Sequence, residues 1–492
     1  MSKLLNNFFW LFGTQFFNTL INFLFAPFLS RSLSYDEYAS YGQVNIVTDL
    51  SISLLSLGIS SVIITYLHHN RSKNGSEENE IFNSTIYILL LLGILGSSSI
   101  FFSGSFISSA FENDITNYLK IACINIPLVL ISNVFNSFLI YQNLHKRVAI
   151  FLFITNLLKV LMVFLSIQYF HNLQFVFFSI LFSNVLLFVL YFISMPYKVK
   201  KTPFSAMKKI RALIVDGFIY YLTGLLGVLL FYIDGIIVSS MLTTKDFSIY
   251  RNGAFEIPLA STIYSTIGLI ILPEVSKLFS ENNYERIVLL KNKVINTVAC
   301  VIFPVTIFIF LFNRELITLY LGDKYIASSN VFWIYNILLL VRINDYADIL
   351  IASRNYKFML RIYLVTFLVN ILACFVFTYY FGIVGAAVST VFSVVLVALF
   401  QSVKTAKLIN TTVNNIFGFR QLFYIFMIPL ILSFLLKLSL AYTYLSDIVR
   451  LIIGSVFILI NYYIYIKLNY IDEKVIDFIR SKLNKYGFRF VK

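Results

Sequence analysis

The chain is 492 residues long, 59% hydrophobic and only 12% charged, about half the charged fraction of an ordinary soluble domain. A water-facing surface needs more charge than this, and 52 Phe with 32 Tyr cannot all be hidden inside a globule of this size, so a soluble enzyme is excluded. The formal net charge is nevertheless +15, from 38 Lys and Arg against 23 Asp and Glu, and the meaning of that excess depends on where the cations sit.

Apolar windows of about 20 residues, long enough to cross a hydrocarbon core, number about fourteen and nearly fill the chain. They begin near Phe8, Val44, Ile81, Tyr118, Val148, Leu173, Ile214 and Gly253, and continue from Val294, Val331, Met359, Ile383, Leu422 and Ile448. The first span follows Lys3 without an Ala-x-Ala cleavage pattern and reads as a retained anchor helix. The longest connections, after Leu67, Pro196 and Pro273, are too short to fold as a catalytic module. Cys123, Cys300 and Cys374 fall inside apolar spans, and His68, His69, His145 and His171 fall in predicted loops without metal-ligand spacing. With no Walker loop, Gly-x-Ser-x-Gly or Asp-x-Asp in the chain, neither a cofactor nor a metal is expected.

Sorted by predicted loop, 28 of the 38 cations fall on one side of the membrane. The positive-inside rule makes that side the cytoplasm, puts both termini there and requires an even number of helices. Most of the excess charge is therefore topology. The richest cluster, Lys198, Lys200, Lys201, Lys208, Lys209 and Arg211, suits a loop lying on anionic membrane lipid, and no nucleic-acid partner is implied. From Ile471 to Lys492 the spacing of Val475, Ile479 and Leu483 predicts an interfacial helix.

The chain also repeats itself. At a shift of 209, the segment from Ser34 to Tyr41 falls on Thr243 to Tyr250, Leu33 on Leu242 and Asn7 on Asp216. At a shift of 212, Gln142 to Lys146 falls on Arg354 to Phe358, with Asn133 and Asn136 on Asp345 and Asp348. Six helices per copy give both copies one membrane orientation. The expected fold is an all-α polytopic membrane protein: two six-helix bundles related by a pseudo-twofold axis along the membrane normal, plus two C-terminal helices. The expected boundaries are residues 1–196 for the first bundle, 197–210 for a basic cytoplasmic linker and 211–407 for the second bundle. Residues 420–468 supply the two additional helices, and 469–492 the basic amphipathic tail.

Several motifs carry a resemblance along this order. They are Pro27-Phe28-Leu29-Ser30-Arg31-Ser32-Leu33 with Glu37-Tyr38 and Tyr41, Ser56-Leu57-Gly58-Ile59, Asp234-Gly235-Ile236-Ile237, Tyr250 with Pro258, Leu272-Pro273-Glu274, Leu321-Gly322-Asp323-Lys324-Tyr325, and Gly382-Ile383-Val384-Gly385-Ala386-Ala387. Together they resemble the polysaccharide-transporter or Wzx-type flippases of the MOP superfamily, relatives of MATE drug exporters and lipid II flippases. The turn that the family usually writes Leu-Gly is Leu33-Ser34 here, which reads as drift within a loop. The resemblance implies a non-enzymatic transporter in a bacterial cytoplasmic (inner) membrane. It would export undecaprenyl-pyrophosphate-linked repeat units of O-antigen or capsule from the inner to the outer leaflet, with a polysaccharide polymerase and a chain-length regulator as candidate partners.

Such a cargo needs a hydrated cavity with few cations, since each unsatisfied polar group in hydrocarbon costs several kcal/mol. Arg31 closes the first span and is either an interfacial anchor or a substrate contact. Arg342 and Lys159 lie within spans; Arg342 has Asp345 one turn away as an i,i+3 partner, and Lys159 has no acid in its own helix. Arg251, at a loop start, binds either cargo or outer headgroups, and Lys437 belongs to the additional helix pair. Asp234, carried by the family motif, joins Asp49, Asp216, Glu256, Asp345 and Asp348 as membrane-level acids. These either trade a proton or cation with solvent, coupling flipping to a gradient, or pair with cavity cations. Two other functions compete. A MATE-type ion-coupled multidrug exporter shares the fold but needs an acidic cavity, and a membrane glycan polymerase or glycosyltransferase needs larger outer loops than this chain has.

Overall fold

The computed structural model describes residues 2–59, 63, 76–195, 218–219, 221–258, 271–441 and 445–470. Among these residues there is no strand, and nine helices are long and apolar enough to cross a bilayer. The protein is a multi-pass, all-helical membrane protein. It divides into two compact units, Met1–Arg251 with Tyr363–Ala386, and Asn252–Ile362 with Ala387–Lys492.

The first unit begins with α1 (Ser2–Ser32), α2 (Tyr35–Leu55), α3 (Ser76–Ser108), α4 (Thr116–Ala122), α5 (Asn125–Tyr141), α6 (His145–Leu165) and α7 (Leu173–Ser194). Leu91 and Phe102 on α3, Leu157 on α6 and Phe182 on α7 are exposed, while Phe82, Leu130, Phe135, Phe138 and Phe177 form a packed core beneath them. Helices apolar on both faces in this way are covered by lipid on the outside and by protein within.

α2 starts well before the apolar run near Val44, because Ser34 is its N-cap. The Glu37 amide donates to Ser34 Oγ at 3.2 Å and the Ser34 amide donates to Glu37 Oε2 at 2.9 Å, a reciprocal capping box. Ser34 is thus a structural element of the helix start and not drift in a loop. The segment 221–241 turns at 230–232 and continues as α8 (Ile233–Met241), followed by α9 (Thr244–Gly253). Asn370 Nδ2 donates to the Leu230 carbonyl at 3.2 Å, which satisfies an acceptor that the turn releases. Before α9 the same cap recurs: the Asp246 amide donates to Thr243 Oγ1 at 3.2 Å, and Thr243 Oγ1 donates to Asp246 Oδ2 at 2.7 Å. The shift of 209 maps Ser34 on Thr243 and Glu37 on Asp246, so the core of the internal repeat is a pair of helix-starting caps. Arg251 accordingly lies in the third turn of a helix and not at a loop start.

The second unit is organised around α10 (Tyr284–Leu321), whose 38 residues give about 57 Å of helix against a hydrocarbon core of about 30 Å. Pro304 lies inside it, and Phe312 (φ −112°, ψ 23°) kinks it. Then come α11 (Ser328–Asn336), α12 (Leu338–Val341), a non-helical stretch at 342–347, and α13 (Asp348–Ala352). α14 (Tyr356–Leu408) has 53 residues, two bilayer lengths, and is interrupted at Gly382 (φ +58°, ψ −141°), a conformation open essentially to glycine alone. α15 (Val413–Phe417), α16 (Phe419–Ala441) and α17 (Asp447–Lys467) complete the described chain. The last two pack on α10 through Phe312, Leu436, Leu440 and Leu451. Lys437 forms an ion pair with Glu315 and lies 4.6 Å from the centre of the Phe312 ring, which ties α16 to the kink. Asp216, the linker 197–210 and the tail beyond Tyr470 lie outside the described residues.

Candidate functional site

In the second unit two helix interruptions fall where hydropathy alone predicts unbroken spans, and the second of them borders a small cleft. One is the segment 254–257 between α9 and Pro258, and the other is 342–347 between α12 and α13. Backbone groups freed at such breaks need partners when water is scarce. Asn336 supplies them at the first: its Nδ2 donates to the Phe255 carbonyl at 3.1 Å, and its Oδ1 accepts from the Ile257 amide at 3.1 Å. Gly253 lets this region approach α11, since a Cβ there would lie 2.6 Å from the Ser328 carbonyl oxygen. At the second break, Lys291 Nζ donates to the Asp345 carbonyl at 2.7 Å and Tyr346 Oη donates to the Val341 carbonyl at 2.8 Å.

The ionised side chains of these breaks form two pairs. Arg342 donates through Nε to Glu256 Oε2 at 2.6 Å and through Nη2 to Glu256 Oε1 at 2.7 Å, a bidentate fork; the side chains are 24% and 11% exposed. Lys291 Nζ lies 2.6 Å from Asp348 Oδ2, with side chains only 3% and 2% exposed. A pair this buried gains specificity more than stability, but removing one partner leaves a buried charge at a cost of about 3–5 kcal/mol. Lys291, Arg342, Asn344, Asp345 and Asp348 line a small cleft whose other walls are Ile271, Val294, Val298 and Ile343.

The first unit holds a different arrangement. On α6, Lys159 Nζ donates to Asn22 Oδ1 of α1 at 3.2 Å, and Asn156 Nδ2 donates to Asn18 Oδ1 at 3.2 Å. Four polar residues at helical spacing thus form a ladder between two spans, and no carboxylate lies within ion-pairing distance of Lys159 among the described residues. Elsewhere in this unit Asp49, exposed on α2, accepts from Tyr232 Oη at 3.1 Å and feels the charge of half-buried Arg251.

The expected site residues therefore separate by environment. Arg342 meets Glu256, an acid 86 positions away, in the bidentate fork. Asp345 and Asp348 face the same cleft, whereas Asp49 and Arg251 group with Tyr232. Asp234 is buried in the first turn of α8, where its Oδ1 accepts from the Gly235 amide at 2.6 Å, and Arg31 is exposed in the last turn of α1.

Two residues with functional geometry escape the sequence reading. Lys291 counts there as a cytoplasmic loop cation, yet it lies on the buried stripe Ile287, Lys291, Ile295, Val298 and Ile302 of α10, a spacing the sequence displays. Glu315, the buried partner of Lys437, had no local signal.

The sequence profile of a family described as "Polysaccharide biosynthesis protein" matches residues 28–330. A comparison with curated protein sequences gives no match. Among solved structures, the chain is similar to "Lipid II flippase MurJ, inward closed conformation", with a TM-score of 0.73 at 18% identity, over 93% of this chain and 99% of that one. It is also similar to an inward-facing "multidrug resistance MATE family transporter of the MOP superfamily", with a TM-score of 0.62 at 14% identity, over 80% of this chain and 96% of that one. A third similar structure is a MOP superfamily transporter from Pyrococcus furiosus, with a TM-score of 0.55 at 11% identity, over 83% of this chain and 95% of that one. At these identities the structures share the fold, and the profile match across more than half of the sequence assigns the family: the chain belongs to the polysaccharide biosynthesis protein family, built on the MurJ and MATE type of helical membrane fold.

Proposed function

We propose that this chain is a flippase for lipid-linked oligosaccharides, carrying undecaprenyl-pyrophosphate-linked O-antigen or capsule repeat units from the inner to the outer leaflet of the cytoplasmic membrane. The two six-helix bundles expected from the sequence would work by alternating access. The observation that carries the reading is the Lys159 ladder, a membrane-level cation with no carboxylate within ion-pairing distance among the described residues, flanked by the amides of Asn18, Asn22 and Asn156. An ammonium beside amides suits an anionic head that bears hydroxyls, since the cation attracts phosphate and amides both donate to and accept from sugar hydroxyls. The family assignment supports a polysaccharide pathway, and the likeness to a lipid II flippase supports a related movement of lipid-linked cargo. Arg31 and Arg251 are proposed as further contacts to the diphosphate or to outer headgroups. Asp234, Asp49 and the cleft acids are proposed to couple the movement to a proton or cation gradient.

The likeness to a MATE transporter favours a second reading, export of cationic drugs. Lys159 would repel such a substrate. A deletion strain separates the two: the flippase reading expects loss of surface polysaccharide and accumulation of lipid-linked units on the inner leaflet, both reversed by the gene. Altered drug resistance with a normal glycan would refute it.

A further inference from the structure

α10 is weakened at a point where α3, its counterpart in the internal repeat, is not. The shift of 209 sets Leu95 against Pro304, and a proline has no amide to give the carbonyl four residues before it, here that of Cys300. α3 contains no proline, and its Leu91, Ile94 and Leu95 are exposed, whereas their counterparts Cys300, Phe303 and Pro304 are buried. The cover over α10 comes from α16 and α17, which lie outside the repeat. They hold α10 on both sides of the proline. On the side of Lys291, Tyr462 Oη of α17 donates to the Val301 carbonyl at 3.1 Å, and the Phe303 and Phe426 rings meet edge to face at 5.6 Å. Nearer the start of α10, Asn292 Nδ2 donates at 3.3 Å to the Ile416 carbonyl of α15, which leads into α16. On the far side, Lys437 pairs with Glu315 and lies over Phe312, and α17 comes so close at Gly454 that a Cβ there would lie 2.5 Å from Phe308 Cε2. Tyr465 Oη donates to the Ile425 carbonyl and ties α17 to α16.

The bend matters because of what α10 carries at its other end. From Pro304 to Lys291 it forms a lever of about 20 Å. Lys291 holds Asp348 at 2.6 Å and the Asp345 carbonyl at 2.7 Å, while the chain of that break descends from α11, whose Trp333 packs on Phe310 at 5.2 Å, beyond the proline. A change of about 10° at Pro304 therefore moves Lys291 by about 3 Å, more than a hydrogen bond tolerates. We infer that α16 and α17 are a splint that fixes the bend of α10, and that Tyr462 and Lys437 are positioning residues for transport, acting through α10 on Lys291 and the break at 342–347. This deepens the flippase reading by giving the two helices outside the repeat a task in it, and it rests on that reading only for what the bend serves.

The test uses the purified full-length protein in lipid nanodiscs, followed by hydrogen exchange of the segment 342–350. A second readout is the electron paramagnetic resonance distance between nitroxides at Leu289→Cys and Lys357→Cys, both exposed positions, the native cysteines being buried. Tyr462→Phe removes one hydroxyl, and Lys437→Met/Glu315→Gln removes the other hold without leaving a buried charge. The wild type is expected to show slow exchange and one narrow distance. Each variant is expected to exchange several-fold faster in 342–350, to broaden and shift the distance by about 3 Å, and to slow transfer of labelled lipid-linked sugar in liposomes. Pro304→Ala returns the missing amide to α10 and is expected to bring Tyr462→Phe back to wild-type exchange. Wild-type exchange and distance in both variants overturn the splint. So does fast exchange in Tyr462→Phe that persists with Pro304→Ala, which would mark general loosening, and altered exchange with wild-type transfer removes the positioning role. The two spectroscopic readouts need no cargo, so their failure refutes the splint alone, and absence of transfer by the wild type refutes the flippase reading alone.

Discussion

Replacing Lys159 with methionine keeps the length and most of the volume of the side chain while removing one charge from the membrane-level ladder. Among the described residues the interaction lost is a single hydrogen bond of 3.2 Å to Asn22 Oδ1, about 1 kcal/mol. Relief of the desolvation of an ammonium without a carboxylate offsets part of it, so protein level and thermal stability in detergent should stay close to wild type. A contact from the same ammonium to a diphosphate is charge-assisted and contributes about 1.5–3 kcal/mol, or roughly a 10- to 150-fold change in binding of the head. The expected result is a steep fall in surface polysaccharide with unchanged protein in the membrane, and partial recovery in Lys159→Arg. Wild-type polysaccharide in Lys159→Met at wild-type protein levels would refute the substrate role, and a collapse of protein level would refute the view that the fold does not depend on the charge.

Arg342 should behave in the opposite way. Arg342→Ala leaves Glu256, 11% exposed, without its fork. It is expected to lower melting temperature and membrane level by an effect of order 3 kcal/mol, with Arg342→Met/Glu256→Gln recovering most of the loss; a double-mutant cycle in detergent checks this. Lys437→Met should release α16 from the kink at Phe312 because Glu315 is left 8% exposed and unpaired; Lys437 itself is 35% exposed, so about 1–3 kcal/mol is expected, measured by thermal unfolding against the Glu315→Gln double variant. Gly382→Ala meets no atom within 4 Å but must hold φ +58°, so about 1–3 kcal/mol of backbone strain should appear as lower stability with no change in packing. In the loop before α4, hydrogen bonds from the Thr116 side chain and amide and from Ser108 hold the Asp114 carboxyl below the ordinary carboxylate range. A depressed folded value means that its contribution is complete at neutral pH and is lost as pH falls through that lower value, so amide exchange near Thr116 should accelerate in acid for the wild type and not for Asp114→Asn.

Hydropathy made most of the membrane architecture legible. α3, α6, α7, α16 and α17 each contain an apolar stretch long enough to cross a bilayer and begin near where apolar windows begin. The starts of α2 and α9 were missed because their first turns are polar: Ser34 with Glu37 and Thr243 with Asp246 are capping signals, which hydropathy averages away. The breaks at 254–257 and 342–347 were hidden for the opposite reason, since apolar runs flank them on both sides and tertiary partners such as Asn336 and Lys291 satisfy the backbone there. For the site, the sequence identified which charges lie at membrane depth but not which of them meet. Local spacing offered Asp345 to Arg342, yet the backbone on either side of Glu256 is held by Asn336 from another element, a relation no window of sequence contains.

The central claim is tested most directly by reconstituting the purified protein in liposomes that carry a labelled undecaprenyl-pyrophosphate oligosaccharide and measuring how fast the sugar becomes accessible on the opposite leaflet. The account predicts transfer well above that of protein-free liposomes, reduced by Lys159→Met and accelerated by an imposed pH gradient. Transfer no faster than in protein-free liposomes, with correctly folded and inserted protein, would contradict it.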